Sequence, residues 1–126
     1  MAMKMNVGAD APLDEARALT AAACLFHGFS DPSRLAILRH LALGEHRVVD
    51  LTAHLSLAQS TVSKHLACLK DCGLVTSRSQ GRASVFSLDH ADAVIDLFAA
   101  AERLLDLTGD AATLCPNFGT ATLKDG

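Results

Sequence analysis

The sequence predicts a mainly α-helical fold with one small β-hairpin, in the order α-α-α-α-β-β-α. Two observations carry this prediction. Helical patterns cover residues 48 to 55 and 59 to 72, and only three residues separate them. Polar residues then alternate with apolar or β-branched ones on both sides of Gln80-Gly81-Arg82, which is typical of two antiparallel strands and their turn. A chain of 126 residues is expected to form one domain.

The first two predicted helices are separated by a strong stop and restart signal. The first is expected over residues 13 to 27, and Gly28 ends it. Its apolar face consists of Ala16, Leu19, Ala23 and Phe26. The segment Ser30-Asp31-Pro32-Ser33 then supplies a capping side chain and a proline at the first helical position. The second helix is therefore expected from Pro32 to about Leu43, with a core face at Leu35, Leu38, Leu41 and Ala42.

The third and fourth helices form a helix-turn-helix, whose second helix enters the DNA major groove in proteins of this kind. Together with the hairpin, which acts as a wing, they predict a winged helix-turn-helix. Polar residues of the fourth helix share one edge, while Val62, Leu66 and Leu69 share the opposite, buried side. The predicted DNA-contacting residues are Gln59, Ser60, Ser63, Lys64, Arg78 and Arg82. For the two arginines the alternative is an ordinary solvated charge.

The last helix, expected over residues 89 to 108, has more apolar surface than a domain of this size can cover. A homodimer formed through the first and last helices explains this surface, and deep burial in a monomer is the alternative. Residues 13–108 are thus the predicted DNA-binding and dimerisation domain. Residues 1–12 are expected to form a flexible arm, and residues 109–126 a tail that carries Cys115.

The charge of the chain is unevenly distributed. The net charge is −3, yet residues 46 to 82 carry five Lys or Arg against two Asp or Glu, whereas residues 83 to 126 carry two against seven. A basic centre in an acidic frame fits a protein that neutralises phosphates with one face only, and an ordinary solvated surface is the alternative. No segment has the length of a membrane span or the pattern of a signal peptide, so the expected location is the cytoplasm, with no membrane partner.

Two cysteines four residues apart, Cys68 and Cys72, lie on the same helix as the polar edge. At this spacing their thiolates can reach one ion, whereas a disulfide between them has poor geometry. Free thiols or metal ligands are expected in the cytoplasm. The alternative is that they are small apolar residues at a packed helix edge.

Three segments together resemble the ArsR/SmtB family of winged-helix repressors. They are Ser-Asp-Pro-Ser-Arg-Leu, which begins at Ser30, Ser-Thr-Val-Ser-Lys-His-Leu, which begins at Ser60, and the Gly-Arg wing turn. The resemblance covers residues 13 to 107. It implies a homodimer that binds double-stranded operator DNA without an inducer and dissociates when a metal or metalloid binds. It also implies control of metal efflux or detoxification genes, and no enzymatic activity.

Among the sensing sites of this family, the pattern of Cys68, Cys72 and a tail cysteine, here Cys115, resembles the cadmium and lead sensors of the CmtR type. The resemblance implies Cd(II) or Pb(II) as inducer, with Zn(II) able to bind; no organic cofactor is expected. Cys24 is a possible fourth ligand, with core packing as the alternative. Two other family sites are incomplete, since Arg47 and Val49 replace a cysteine pair and Leu105 interrupts a site that begins at Asp89 and His90.

Two alternatives remain at this point. A repressor of the same fold can use the thiols to sense arsenite or oxidants, and a thiol enzyme or protein-binding module can share the fold. The second is disfavoured because the chain has no Cys-x-x-Cys pair, no glycine-rich phosphate loop and no nucleophile with a partner base. The remaining histidines show no converging spacing and are expected to be ordinary surface or half-buried residues: His27, His40, His46 and His54.

Overall fold

The computed structural model describes residues 11–109 and residue 114. This part of the chain contains five helices and three strands. The helices are α1 (Ala11–Gly28), α2 (Pro32–Ala42), α3 (Val48–Leu55), α4 (Gln59–Asp71) and α5 (Ala91–Leu107). The strands are β1 (His46–Arg47), β2 (Val75–Gln80) and β3 (Ala83–Leu88). The predicted mainly α fold with a wing is confirmed, and α3 has the predicted bounds.

The wing is a three-stranded antiparallel sheet rather than an isolated hairpin. The strand order is β1-β3-β2, and β1 joins the sheet by pairing His46 with Phe86 and Arg47 with Val85. The sequence analysis missed β1 because two residues are too few to show a strand period. Its pairing fixes the base of the wing to the segment that leads into α3.

The predicted start of α2 is confirmed in atomic detail. One carboxylate oxygen of Asp31 accepts hydrogen bonds from the backbone N–H groups of Ser33, at 2.8 Å, and Arg34, at 3.1 Å. Pro32 occupies the first helical position, where its missing N–H costs nothing. These bonds lower the pKa of the Asp31 carboxyl, chiefly through the Arg34 N–H. Asp31 is therefore ionised at neutral pH and caps α2.

The core of the domain lies between α2, α3, α4, the wing and one side of α5. Its fully buried side chains include Ile37, Leu51, Leu66 and Phe98. Phe98 packs edge to face against Phe29, with ring centroids 5.8 Å apart, and this contact joins the segment after α1 to α5.

The first helix departs from the sequence prediction. It begins at Ala11, two residues earlier than expected, so residues 11 and 12 of the predicted arm are helical. Its apolar face is exposed in the single chain, with Leu19 65% and Phe26 56% accessible. On α5, Leu104 and Leu107 are 63% and 82% accessible. The exposed apolar residues of α5 agree with the expectation that the last helix has more apolar surface than the domain can cover.

Candidate functional site

The polar edge of α4 is solvent-exposed, as expected. Gln59, Ser60, Ser63 and Lys64 are exposed, while Val62 and its apolar neighbours on the opposite side are buried. The helix is preceded by Ser56, which adopts a left-handed conformation with φ 56° and turns the chain out of α3. Ala58 at the N-cap position provides no side-chain hydrogen bond. This edge is therefore accessible to a ligand along its whole length.

The two wing arginines have different surroundings. Arg82 is exposed in the turn between β2 and β3. The guanidinium of Arg78 instead forms an ion pair with Glu45, in the segment before β1. Lys70, which was not among the predicted residues, donates a 2.9 Å hydrogen bond to the Ser77 hydroxyl and links α4 to the wing.

Arg34 is a structural residue that the sequence analysis missed. Its side chain is only 9% accessible, and it donates to the backbone carbonyls of Gly28, at 3.3 Å, and His27, at 2.8 Å. One of its nitrogens also lies 3.4 Å from Nδ1 of His65 on α4. Nε2 of His65 lies 3.8 Å from the Asp31 carboxylate. The end of α1, the start of α2 and α4 are thereby held in one polar network.

Cys24 of α1 lies beside Cys72 at the end of α4, although 48 residues separate them in the chain. Their sulfur atoms are 3.7 Å apart, and the Cys72 thiol lies 3.2 Å from the Cys24 carbonyl oxygen, to which it donates. Gly28 permits this approach because a Cβ atom there would lie 2.9 Å from Cδ1 of Leu74 and 3.5 Å from the Cys72 sulfur. Cys68 and Cys72 are both half-buried, and Cys24 is exposed.

The environment of Cys72 keeps its thiol protonated. Burial, followed by the hydrogen bond and charge of Cys24 and then the influence of Cys68, raises the pKa of Cys72 to about 11. Cys72 borders a largely apolar cavity of about 250 Å³ between α1, the end of α4 and the start of α5. A thiol in this state is a poor nucleophile, and a metal ion must displace its proton to bind.

The sulfur separation fits shared coordination of a thiophilic ion. Two thiolates bound to one tetrahedral Zn(II) ion at about 2.3 Å lie about 3.8 Å apart, close to the 3.7 Å between Cys24 and Cys72. Within residues 11–109 and 114, however, no three His, Cys, Asp or Glu side chains are grouped so that they could hold a metal ion. The predicted ligand Cys115 lies outside the described residues. Leu114, just before it, packs against the core, and its N–H donates to Glu102 of α5.

The remaining four histidines are exposed or half-buried, as expected, but three of them meet in space, which their sequence spacing did not predict. The rings of His40, His46 and His54 contact one another, with centroids between 5.3 and 6.1 Å apart. They come from α2, β1 and α3, so their sequence spacing gives no periodic signal. His27, in contrast, is exposed at the end of α1.

Comparison with known proteins matches residues 31–77 to the family described as bacterial regulatory protein, arsR family. HlyU from Vibrio cholerae is 32% identical, with a TM-score of 0.59 over 65% of this chain and 91% of that chain. This chain belongs to the arsR family. A winged helix-turn-helix DNA-binding domain from Mycobacterium bovis, described as homodimeric and as a possible ArsR-family regulator, is 29% identical, with a TM-score of 0.64 over 82% of this chain and 91% of that one.

The arsR-family match covers α2, α3, α4 and the start of β2, and hence the Asp31 cap, Arg34 and the whole polar edge. The transcriptional regulator CmtR of Mycobacterium tuberculosis is 42% identical over 69 residues, which are 55% of this chain and 58% of CmtR. The chain spans between 50% and 59% of the length of three of the curated relatives that it matches. Membership of a family of regulators agrees with the expectation that the chain is not an enzyme. No described helix is long and apolar enough to cross a membrane.

Proposed function

We propose that this arsR-family protein is a homodimeric, metal-responsive repressor. In this proposal it binds operator DNA through α4 and the wing, and it leaves DNA when Cd(II) or Pb(II) binds its thiols. Zn(II) also fits the ligands without being the signal. The repressor acts in the cytoplasm on genes for metal efflux or detoxification. The observation that carries the proposal is the 3.7 Å separation of the Cys24 and Cys72 sulfurs at the end of the helix that bears the polar edge.

The DNA-binding part rests on the exposed polar edge and the wing. Gln59, Ser60, Ser63 and Lys64 offer donors and one cation on a single face of α4. Arg82 extends the surface at the wing turn, and Arg78 joins it by exchanging Glu45 for a phosphate. A dimer presents two such surfaces, which suits an operator with two half-sites one helical turn apart.

The dimer rests on the apolar faces that the single chain leaves exposed. Leu19 and Phe26 of α1 and Leu104 and Leu107 of α5 are all more than half accessible. Isolated chains rarely leave large apolar side chains of two helices in water, so a second copy packed through α1 and α5 is the expected cover. The Mycobacterium bovis domain is described as homodimeric, which supports a dimer but says nothing of its interface.

The metal-binding part rests on the chemistry of the thiols. Soft thiolates favour soft ions, and Cys68, Cys72 and Cys115 are the proposed ligands, with Cys24 as a fourth. Leu114, one residue before Cys115, packs against the core, and its N–H donates to Glu102 of α5. Ligands from α4, α1 and the tail would lock the end of α4 to α1, which is one element of the proposed dimer interface, and to the tail. By linkage, the metal weakens DNA binding by the same factor by which DNA weakens metal binding.

A thiol sensor of arsenite or oxidants is the second candidate, and the same sulfur pair supports it. Arsenite also takes three sulfurs. Oxidation of Cys24 and Cys72 by a peroxide would form a disulfide while the peroxide is reduced, and the two thiol protons end in water. The raised pKa of Cys72 disfavours this step, because the thiolate is the attacking species.

A DNA-release titration tests the proposal. Operator fragments are selected from genomic DNA, labelled, and bound to the full reduced chain, and Cd(II), Pb(II), Zn(II), arsenite or peroxide is then added. We expect release by Cd(II) and Pb(II), with a sulfur-to-cadmium charge-transfer band, and loss of both effects in Cys68→Ser and Cys72→Ser. The proposed inducer would be overturned if cadmium released the Cys68→Ser variant from DNA, or if only arsenite or peroxide released the wild-type protein.

The DNA surface is tested separately with Lys64→Ala and the matched control Arg17→Ala, which removes an exposed cation from α1. A lost phosphate contact weakens binding and reduces the slope of log affinity against log salt by about one. We expect this effect for Lys64→Ala only. Equal effects of the two variants would exclude α4 as the specific DNA-binding edge.

A further inference from the structure

Three imidazole rings meet at the surface where α2, β1 and α3 join. The centroid of the His54 ring is 5.3 Å from that of His40 and 5.4 Å from that of His46, and the last two are 6.1 Å apart. His40 and His46 are half-buried, while His54 is exposed. The cluster lies on other elements than the thiols of Cys24, Cys68 and Cys72, which belong to α1, α4 and the C-cap of α4.

Each ring is prepared for metal binding in its own way. Nδ1 of His46 lies 2.8 Å from the Gly44 carbonyl oxygen, which can only accept, so Nδ1 carries a proton and Nε2 is the nitrogen left to bind a metal. A hydrogen bond of this kind commonly orients a metal-ligating histidine. The His40 ring is half-buried and contacts both of the other rings. The exposed His54 ring gives access from solvent.

The spacing of the rings matches three imidazoles around one ion. At a metal–nitrogen distance of about 2 Å and tetrahedral angles, the ring centroids would lie about 5 Å apart. In the described residues no three donors are yet grouped around one point, and the rings meet edge to face at 64° to 83°. The ring centroids lie close to this separation, so the site requires a rotation of the side chains, led by the exposed His54, that directs the nitrogens to one point.

We propose that His40, His46 and His54 form a second metal site, which takes a borderline first-row divalent ion such as Zn(II), Ni(II) or Cu(II). Neutral imidazoles suit these ions, whereas the thiols favour softer ones. The site would join α2 to α3, the first helix of the helix-turn-helix, and to β1, which pairs with the wing strand β3. An ion bound there stiffens the wing against the helix-turn-helix.

Zinc binding to a chain without thiols tests this site. The variant carries serine at all four cysteines. By calorimetry we expect it to bind one Zn(II) per chain, and Co(II) to give the visible spectrum of a tetrahedral nitrogen site. His46→Gln and His54→Gln should each weaken Zn(II) binding by about tenfold or more. The matched control His27→Gln removes an exposed imidazole outside the cluster and should leave the affinity unchanged.

Two results would overturn the site: a folded thiol-free chain that binds no Zn(II), or equal weakening by His27→Gln and His54→Gln. If the thiol-free chain does not fold, the histidine ring resonances of the wild-type chain are followed by NMR during Zn(II) addition. Selective shifts of His40, His46 and His54 support the site. Unchanged resonances of these three rings at Zn(II) in excess of the thiols exclude it.

Discussion

Replacing Arg34 by methionine tests whether this buried guanidinium holds α1 and α2 together. Methionine keeps much of the apolar volume but removes the donors to the Gly28 and His27 carbonyls. The His27 carbonyl keeps two other donors, the Ser30 hydroxyl at 2.8 Å and the Ser30 N–H at 3.2 Å. The main loss is therefore at Gly28.

The magnitude follows from these partners. A hydrogen bond from a charged donor contributes about 1.5 to 3 kcal/mol, and an acceptor left unpaired in a buried site adds to the cost. One bond is lost without replacement and one is lost at a carbonyl that stays satisfied, so we expect a free energy of unfolding about 3 kcal/mol lower. For a domain of this size that corresponds to a Tm about 10 °C lower.

The assay is urea unfolding followed by circular dichroism at one protomer concentration, with a reductant and a chelator present. Arg39→Met is the matched control on the same helix, since Nε and Nη2 of Arg39 are buried without a hydrogen-bond partner in the described part of the chain. Its removal should change stability by less than about 0.5 kcal/mol, or should stabilise the fold. A loss below about 1 kcal/mol for Arg34→Met, or equal losses for both variants, would refute this reasoning.

Three further changes have expected outcomes. Ala58→Ser supplies the missing cap of α4 and should raise the free energy of unfolding by about 1 kcal/mol in urea; no gain would contradict the cap assignment. Asp31→Asn should be less stable than the wild type at neutral pH. Because folding lowers the pKa of Asp31 below 3.8, its contribution is present above that value and is lost as pH falls through the folded pKa, so urea curves should converge in acid. Leu104→Glu should shift the mass measured by light scattering from that of a dimer to that of a monomer. Arg103→Glu, which changes a neighbouring exposed residue, should leave the dimer mass unchanged; a monomeric wild type would refute the proposed dimer.

The elements were predictable from sequence because their signals are local. Each of three signals depends on residues only a few positions apart: the Asp31-Pro32 start of α2, the three-residue turn before Gln59 and the Gly81-Arg82 wing turn. The structure has the start of α2, the start of α4 and the β2–β3 turn at these places. The polar edge of α4 is also exposed as predicted. Strand β1 was missed because a two-residue strand exists only through its pairing with β3.

The chain by itself determined the order of elements, the family resemblance and the placing of Cys68 and Cys72 on the polar-edged helix. Only the tertiary structure decided that Cys24 lies against Cys72, that Arg34 is buried, and that His40, His46 and His54 meet. Helical periodicity and turn signals depend on residues a few positions apart, whereas these long-range contacts depend on how whole helices pack. The small Gly28, which lets the end of α1 approach Leu74, is one residue on which that packing depends.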